Sequence, residues 1–297
     1  MVIHVGIDLY KSKAWIFDSV TTTIMNEVSI DPIREGDIYK VDEMFQKLKT
    51  EIEAELGNVC ICLESVEQYS NEIRKKFIES GKEWGFKNVE LIDEWTAVFL
   101  NGLSQTPYRP KEGDVMWVFC GGCQIWKKID QKVKFIGWGL GDVTYEKDLE
   151  RISKGGKTPN LIITNFQDYE GVLYPNCQTY SKITTDYGLG CVVKARITAE
   201  DPLVAAFDVN PLLGRSIYVK IGIIEIMSFK SLTSVPLEKS EDYENINTES
   251  KQLKIFDSHQ RKTLELSNFK RLTISTKVDV NGIWSVDVII PTVITLN

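Results

Sequence analysis

The chain has 297 residues, 43% hydrophobic and 26% charged, with a formal net charge of −7, the balance of an ordinary globular protein with room for two cores. The negative balance argues against a broad electrostatic footprint on nucleic acid as the main activity. The sequence has no apolar run of about 18 residues and no basic-then-apolar leader, so no membrane span is expected and a cytoplasmic protein is.

Residues 2–10, 13–20 and 23–30 read as three successive strands with very short turns between them. Val41, Phe45, Leu48, Ile52 and Leu56 recur at helical spacing, which predicts a helix over 42–57 with Gly57 as its stop. A strand over 59–63 follows, then an amphipathic helix over 71–82 with Tyr69, Ile73 and Phe77 facing inward, a strand over 89–92 and a helix over 96–103. The order then repeats: strands over 114–120, 124–130 and 132–138, a helix over 145–152, a strand over 161–164 and a helix over 185–197. Each half reads β-β-β-α-β-α, a further strand and helix being clear only in the first. Such duplication predicts two similar α/β lobes facing each other across a cleft, with the first hairpin of each pointing into it.

After Leu203 the texture changes to alternating strands, with Asn281-Gly282 as a hairpin signal. The expected organisation is therefore a two-lobed α/β domain over 1–207 and a β-sandwich over 208–297. Six cysteines with mostly apolar neighbours read as reduced core thiols. Cys120-Gly121-Gly122-Cys123 is formally a C-x-x-C, but with only His4 and His259 and no second such pair no metal site is expected. The short cationic runs Arg74-Lys75-Lys76 and Lys127-Lys128, the latter with Lys132 and Lys134, read as solvated faces rather than as RNA contacts.

Several segments together carry a resemblance. They are "VGIDLYKSKAWIF", the run Asp93-Glu94-Trp95-Thr96-Ala97-Val98, "DVMWVFCGGCQIWKKID", "NLIITNFQDYEGVL", "LVAAFDVNPLL" and "STKVDVNGIWSV". In that order they resemble the first phosphate motif, the Asn-Glu-Pro-Thr-Ala-Ala run, the second phosphate motif, the adenosine motif, the interdomain linker and the last β strands of the 70-kDa heat-shock (DnaK-type) chaperones. The resemblance implies an actin-like ATPase-type domain with reduced outer subdomains, then a peptide-binding-like β domain without a helical lid. It places Asp8 and Glu94 at carboxylates that organise magnesium and water, and Gly121 and Gly122 in the second phosphate loop, as remnants of a nucleotide pocket.

The departures from the family are in the chemistry. Tyr10 and Lys11 stand where the first loop needs a small residue and a Thr, the second loop lacks its Asp and Thr, and Asn165-Phe166-Gln167-Asp168 has neither a glycine pair nor an Arg to stack on a base. Phosphoryl transfer is positioning and charge stabilisation, so these losses imply no catalytic residue and no ATP or magnesium cofactor. In the β domain, Ile226, Met227 and Val235 are candidates for a peptide groove, with core packing as the alternative. Within the family the pattern is nearest the lidless subunit of the ribosome-associated complex. That implies a non-catalytic chaperone cofactor which stably binds a J-domain protein of the zuotin type and, through it, the ribosome, with no membrane or direct DNA contact. The alternatives are a reduced ATP-dependent chaperone ATPase using Asp8 and Glu94, and a nucleotide-independent peptide-binding module.

Overall fold

The computed structural model describes residues 1–63, 69–141, 145–154, 157–166, 174, 176–244, 252–258, 260–266 and 271–290. The first sheet contains β1 (Val2–Asp8), β2 (Lys13–Asp18), β3 (Thr23–Ser29), β4 (Glu55–Leu63) and β5 (Asn88–Asp93), in the order β3-β2-β1-β4-β5. β1, β2 and β3 pair as antiparallel hairpins, and β4 and β5 run parallel to β1. Parallel central strands are covered on both faces, which is why β1 and β4 read as nearly unbroken apolar runs. Ile3, Val5, Ile7, Val59, Ile61 and Leu63 face α1 (Lys40–Glu51) and α2 (Asn71–Glu83), while Cys60 and Cys62 face α5 (Tyr187–Thr198) on the other side.

The second sheet repeats this order. β6 (Val115–Phe119), β7 (Cys123–Ile129), β8 (Lys132–Gly139), β9 (Leu161–Thr164) and β10 (Gln178–Tyr180) lie as β10-β9-β6-β7-β8, with the same parallel and antiparallel pairings. β10 is the further strand that periodicity assigned to the first half alone. It is three residues long with no fully buried side chain, too little to register as a period. α4 (Glu146–Ser153) follows β8.

The helix expected over 42–57 ends earlier. α1 stops at Glu51, Ile52 is extended, and Leu56 and Gly57 already belong to β4. Strand alternation and helical spacing coincide at Ile52 and Leu56, so the pattern did not separate them. Gly57 is not a helix stop; a Cβ there would lie 2.8 Å from the His4 ring.

α3 (Glu94–Ser104) and α5 lie between the sheets. Phe99 of α3 stacks on Trp126 of the second sheet at 4.6 Å. On the other side, a Cβ on Gly6 would fall 2.1 Å from the Gly188 carbonyl oxygen, and one on Gly190 2.1 Å from that of Ala97. β1, α5 and α3 therefore meet backbone to backbone, which only glycine allows.

From Ile217 onward every described regular element is a strand. β11 (Ile217–Ile221), β12 (Ile224–Phe229), β14 (Gln252–Phe256) and β15 (Arg261–Glu265) form one antiparallel sheet, ordered β12-β11-β14-β15. β13 (Leu237–Glu244), β16 (Arg271–Val278) and β17 (Trp284–Ile289) form another, ordered β13-β16-β17. Asn281-Gly282 does turn the chain between β16 and β17, but inside a wider connection in which Asp279 Oδ1 accepts from the Asn281 and Ile283 N–H groups.

These strands are fastened to the first lobe. The Asn281 side chain accepts from the Leu91 N–H (2.9 Å) on the outer edge of β5, and its carbonyl accepts from Arg74 Nη1 (2.9 Å). The buried Arg215 pairs with Asp257 at 3.1 Å, donates to Asn71 Oδ1 at 2.8 Å and reaches the Tyr69 carbonyl. The stretch expected as a linker is held to the lobes as well. The Lys128 ammonium donates to the Ala206 carbonyl (2.8 Å), that of Lys194 to the Val209 carbonyl (2.9 Å), and the Val133 N–H to the Asp208 carbonyl (2.7 Å).

The cationic runs are accordingly not continuous solvated faces. Arg74 and Lys128 are buried, and Lys76, Lys132 and Lys134 pair with Asp42, Asp208 and Asp130.

Candidate functional site

The β1–β2 loop and the β6–β7 loop converge on the residues that lead into α5. Lys11 Nζ lies 3.2 Å from Asp186 Oδ2 and 3.3 Å from the Thr185 carbonyl oxygen, and Cys120 Sγ lies 3.9 Å from Thr185 Oγ1. Asp186 also caps α5, its Oδ1 accepting from the Leu189 N–H at 3.0 Å. A helix N-terminus attracts an anion. Here the chain supplies that anion as Asp186 and neutralises it with Lys11.

Asp8, at the end of β1, is fully buried. Its Oδ1 accepts from the N–H groups of Tyr10 (2.9 Å) and Lys11 (3.1 Å), while Oδ2 has no partner among the described residues. Burial pushes its pKa up, outweighing the two hydrogen bonds that favour the carboxylate. The loop N–H groups that a phosphate would need are thus already taken by a side chain.

Glu94 opens α3 behind Asp93, which caps the helix through Thr96 and accepts from the Leu212 N–H at 2.7 Å. Glu94 is half-buried, and burial, then the neighbouring Asp93, raises its pKa. Among the described residues Asp8 and Glu94 share no hydrogen bond; both act on the Tyr187 phenol, whose pKa is raised first by burial and then by Glu94. Tyr187 carried no sequence signal beyond following a capping Asp. Trp95, where the resembled family has Pro, packs edge-on against Phe135 (5.5 Å) and Trp138 (6.3 Å). Its ring fills the space between α3 and β8 beside Glu94.

Gly121 and Gly122 have φ of +68° and +152°, and the Cys120 N–H donates to the Gly122 carbonyl at 2.9 Å. They make the turn of the second hairpin. Cys123 points into the core with its thiol pKa raised by burial, and Cys120 is half-buried. His4 is buried and accepts from the Asn58 N–H; His259, Gln167 and Asp168 lie outside the described residues. Among the described residues no group of three His, Cys, Asp or Glu side chains suits a metal ion.

A magnesium nucleotide fits this residue set poorly. The unpartnered Asp8 oxygen would accept a cation or a proton. Against that, the second loop brings no carboxylate, the first-loop N–H groups are engaged, and the loop cation is held by Asp186. Of the three groove candidates in the C-terminal strands, Met227 and Val235 are buried in the core shared by both sheets, where they pack rather than face a ligand. Ile226 is partly buried, and its carbonyl accepts from the Tyr243 hydroxyl at 2.8 Å.

Fold and cleft together define a mixed α/β protein with two duplicated lobes. No protein-family model matches the sequence, and no curated protein matches it. Among solved structures the chain is similar to the inorganic polyphosphate/ATP-glucomannokinase of Arthrobacter sp. strain KM, at 13% identity and a TM-score of 0.43, over 67% of this chain and 100% of that one. It is also similar to an exopolyphosphatase of Cytophaga hutchinsonii, at 12% identity and a TM-score of 0.27, over 51% of this chain and 57% of that one.

Proposed function

We propose that the chain is a non-catalytic, partner-holding protein on an actin-like ATPase-type scaffold, in which an internal ion pair stands where a phosphate would bind. The observation that carries this reading is the Lys11–Asp186 pair at the start of α5, together with the engagement of the first-loop N–H groups by Asp8. A scaffold that keeps two lobes and fastens its C-terminal strands to one of them, with no cradle for the phosphates among the described residues, is suited to holding a partner rather than to phosphoryl transfer. The motif order quoted above extends the proposal to a chaperone cofactor of the 70-kDa heat-shock type, bound to a J-domain protein and through it to the ribosome.

The test is to mix the purified chain with a zuotin-type J-domain protein, measure the mass of the complex by light scattering, and sediment it with ribosomes. A one-to-one complex that survives removal of all nucleotide is expected. A complex that forms only with ATP, or none, would overturn the extension. The reduced-ATPase reading has one observation in its favour, the unpartnered Oδ2 of Asp8. It requires magnesium-dependent nucleotide binding.

A further inference from the structure

Among the described residues β17 and β15 each lie at the end of a sheet, with one edge unpaired by a strand. The free edge of β17 is met at its first residue by a side chain. Asn71 of α2 donates from Nδ2 to the Trp284 carbonyl (2.9 Å) and accepts the Trp284 N–H at Oδ1 (3.4 Å), so one amide imitates a partner strand for one residue. In an antiparallel ladder the N–H and C=O of a residue point the same way and alternate along the strand. The outward groups at Trp284 therefore recur at Val286, beyond the reach of Asn71.

A cavity of about 640 Å³ opens at that place, between α2, β15 and β17. Lys75, Arg261 and Lys262 contribute three exposed cations to its wall, against the single carboxylate of Asp287. Among the described residues none of the three cations has an ion-pair partner. On a chain of net charge −7, an uncompensated cationic wall beside an open strand edge has a specific chemistry: hydrogen-bond donors and acceptors for an extended backbone, and positive charge for acidic side chains.

We propose that this groove takes an extended, acidic segment of a partner protein, added as a strand to the edge of β17 at Val286, with its carboxylates against Lys75, Arg261 and Lys262. The proposal deepens the partner-holding reading and rests on it by naming the surface used. It competes with a plainer role for the cations, as charges that keep an exposed edge from pairing with other chains.

The test uses the full chain and fluorescein-labelled heptapeptides of alternating Val and Glu, alternating Val and Lys, and alternating Val and Glu with N-methylated backbone amides. Binding is read by anisotropy at two salt concentrations. The Val-Glu peptide should bind, the Val-Lys peptide should not, and N-methylation should abolish binding. The triple variant Lys75→Gln, Arg261→Gln, Lys262→Gln should weaken the Val-Glu peptide by about tenfold or more, with an unchanged melting temperature as the control for folding. No preference for the acidic peptide, or affinity indifferent to the triple variant, would overturn the proposal. Charge-dependent binding that survives N-methylation would overturn it too, reducing the groove to a site for anions. Nucleotide binding by the chain would undo the partner-holding reading without altering any of these peptide results, so the two failures are distinguishable.

Discussion

Lys11 and Asp186 stand 3.2 Å apart, one on the first hairpin and the other capping α5. Their pairing joins the β1–β2 loop to the start of α5. The two residues carry unequal structural weight. Lys11 is partly exposed, so Lys11→Ala should cost no more than about 1 kcal/mol, as exposed pairs do. Asp186→Ala loses the same pair and also the cap on the Leu189 N–H, and should cost about 1 kcal/mol more. Urea denaturation of both variants checks this, and equal losses would contradict it.

Asp8 gives the stability a defined pH dependence. Burial raises its pKa in the folded chain above the ordinary value of 3.8, so the folded state keeps a proton that the unfolded chain releases. Its contribution is present below that ordinary value and is lost as pH rises through the raised one. Asp8→Asn keeps an acceptor for Tyr10 and Lys11 and removes the charge. Its stability should exceed the parent's at neutral pH, and the difference should vanish in acid. Thermal melts across that range test it; a substituted chain that melts below the parent at neutral pH would be the contrary result.

The glycines should separate into two classes. A methyl group at Gly190 would sit 2.1 Å from the Ala97 carbonyl oxygen, backbone against backbone, so Gly190→Ala should cost about 3 kcal/mol or leave the chain unfolded. Gly121, with φ of +68° and open space around it, carries only a conformational penalty, and Gly121→Ala should cost about 1 kcal/mol. Comparable melting temperatures for the two variants would refute the backbone contact of α5 with α3.

Asp257 is the anchor of the C-terminal strands. Its carboxylate faces the buried Arg215 at 3.1 Å and accepts from Trp284 Nε1 at 2.8 Å. Asp257→Ala strands a buried cation and should cost about 3–5 kcal/mol. The double change Arg215→Met, Asp257→Leu should cost less, because the two paired charges leave together. Limited proteolysis should cut between the lobes and the C-terminal strands in the single variant first.

The strands and helices that were legible in the sequence are those whose pattern is set by local burial. β9 was expected over the residues it occupies and α2 fell within two residues, because an unbroken apolar run fixed the one and an apolar face the other; α5 also fell within two residues, although it is buried on nearly every side. The duplication was legible for the same reason. What escaped depends on contacts between distant residues. Lys128 reads as a solvated charge until Ala206, 78 positions on, comes to meet it. Arg74 meets the Asn281 carbonyl 207 positions on, and Trp95 packs beside Glu94 only because Phe135 and Trp138 stand opposite. At the candidate site, Asp8, Gly121 and Gly122 were found by motif. Tyr187 and Asp186 were not, since their role comes from the approach of α5 to the two hairpins.

The most direct measurement is a calorimetric titration of the full chain with ATP and ADP in the presence of magnesium, at protein concentrations that reveal a millimolar site, with thermal melts run alongside. A cleft closed by Lys11 and Asp186, with its loop N–H groups held by Asp8, predicts no heat of binding and no thermal stabilisation. Micromolar binding that disappears in Asp8→Asn would show that the cleft still grips phosphate.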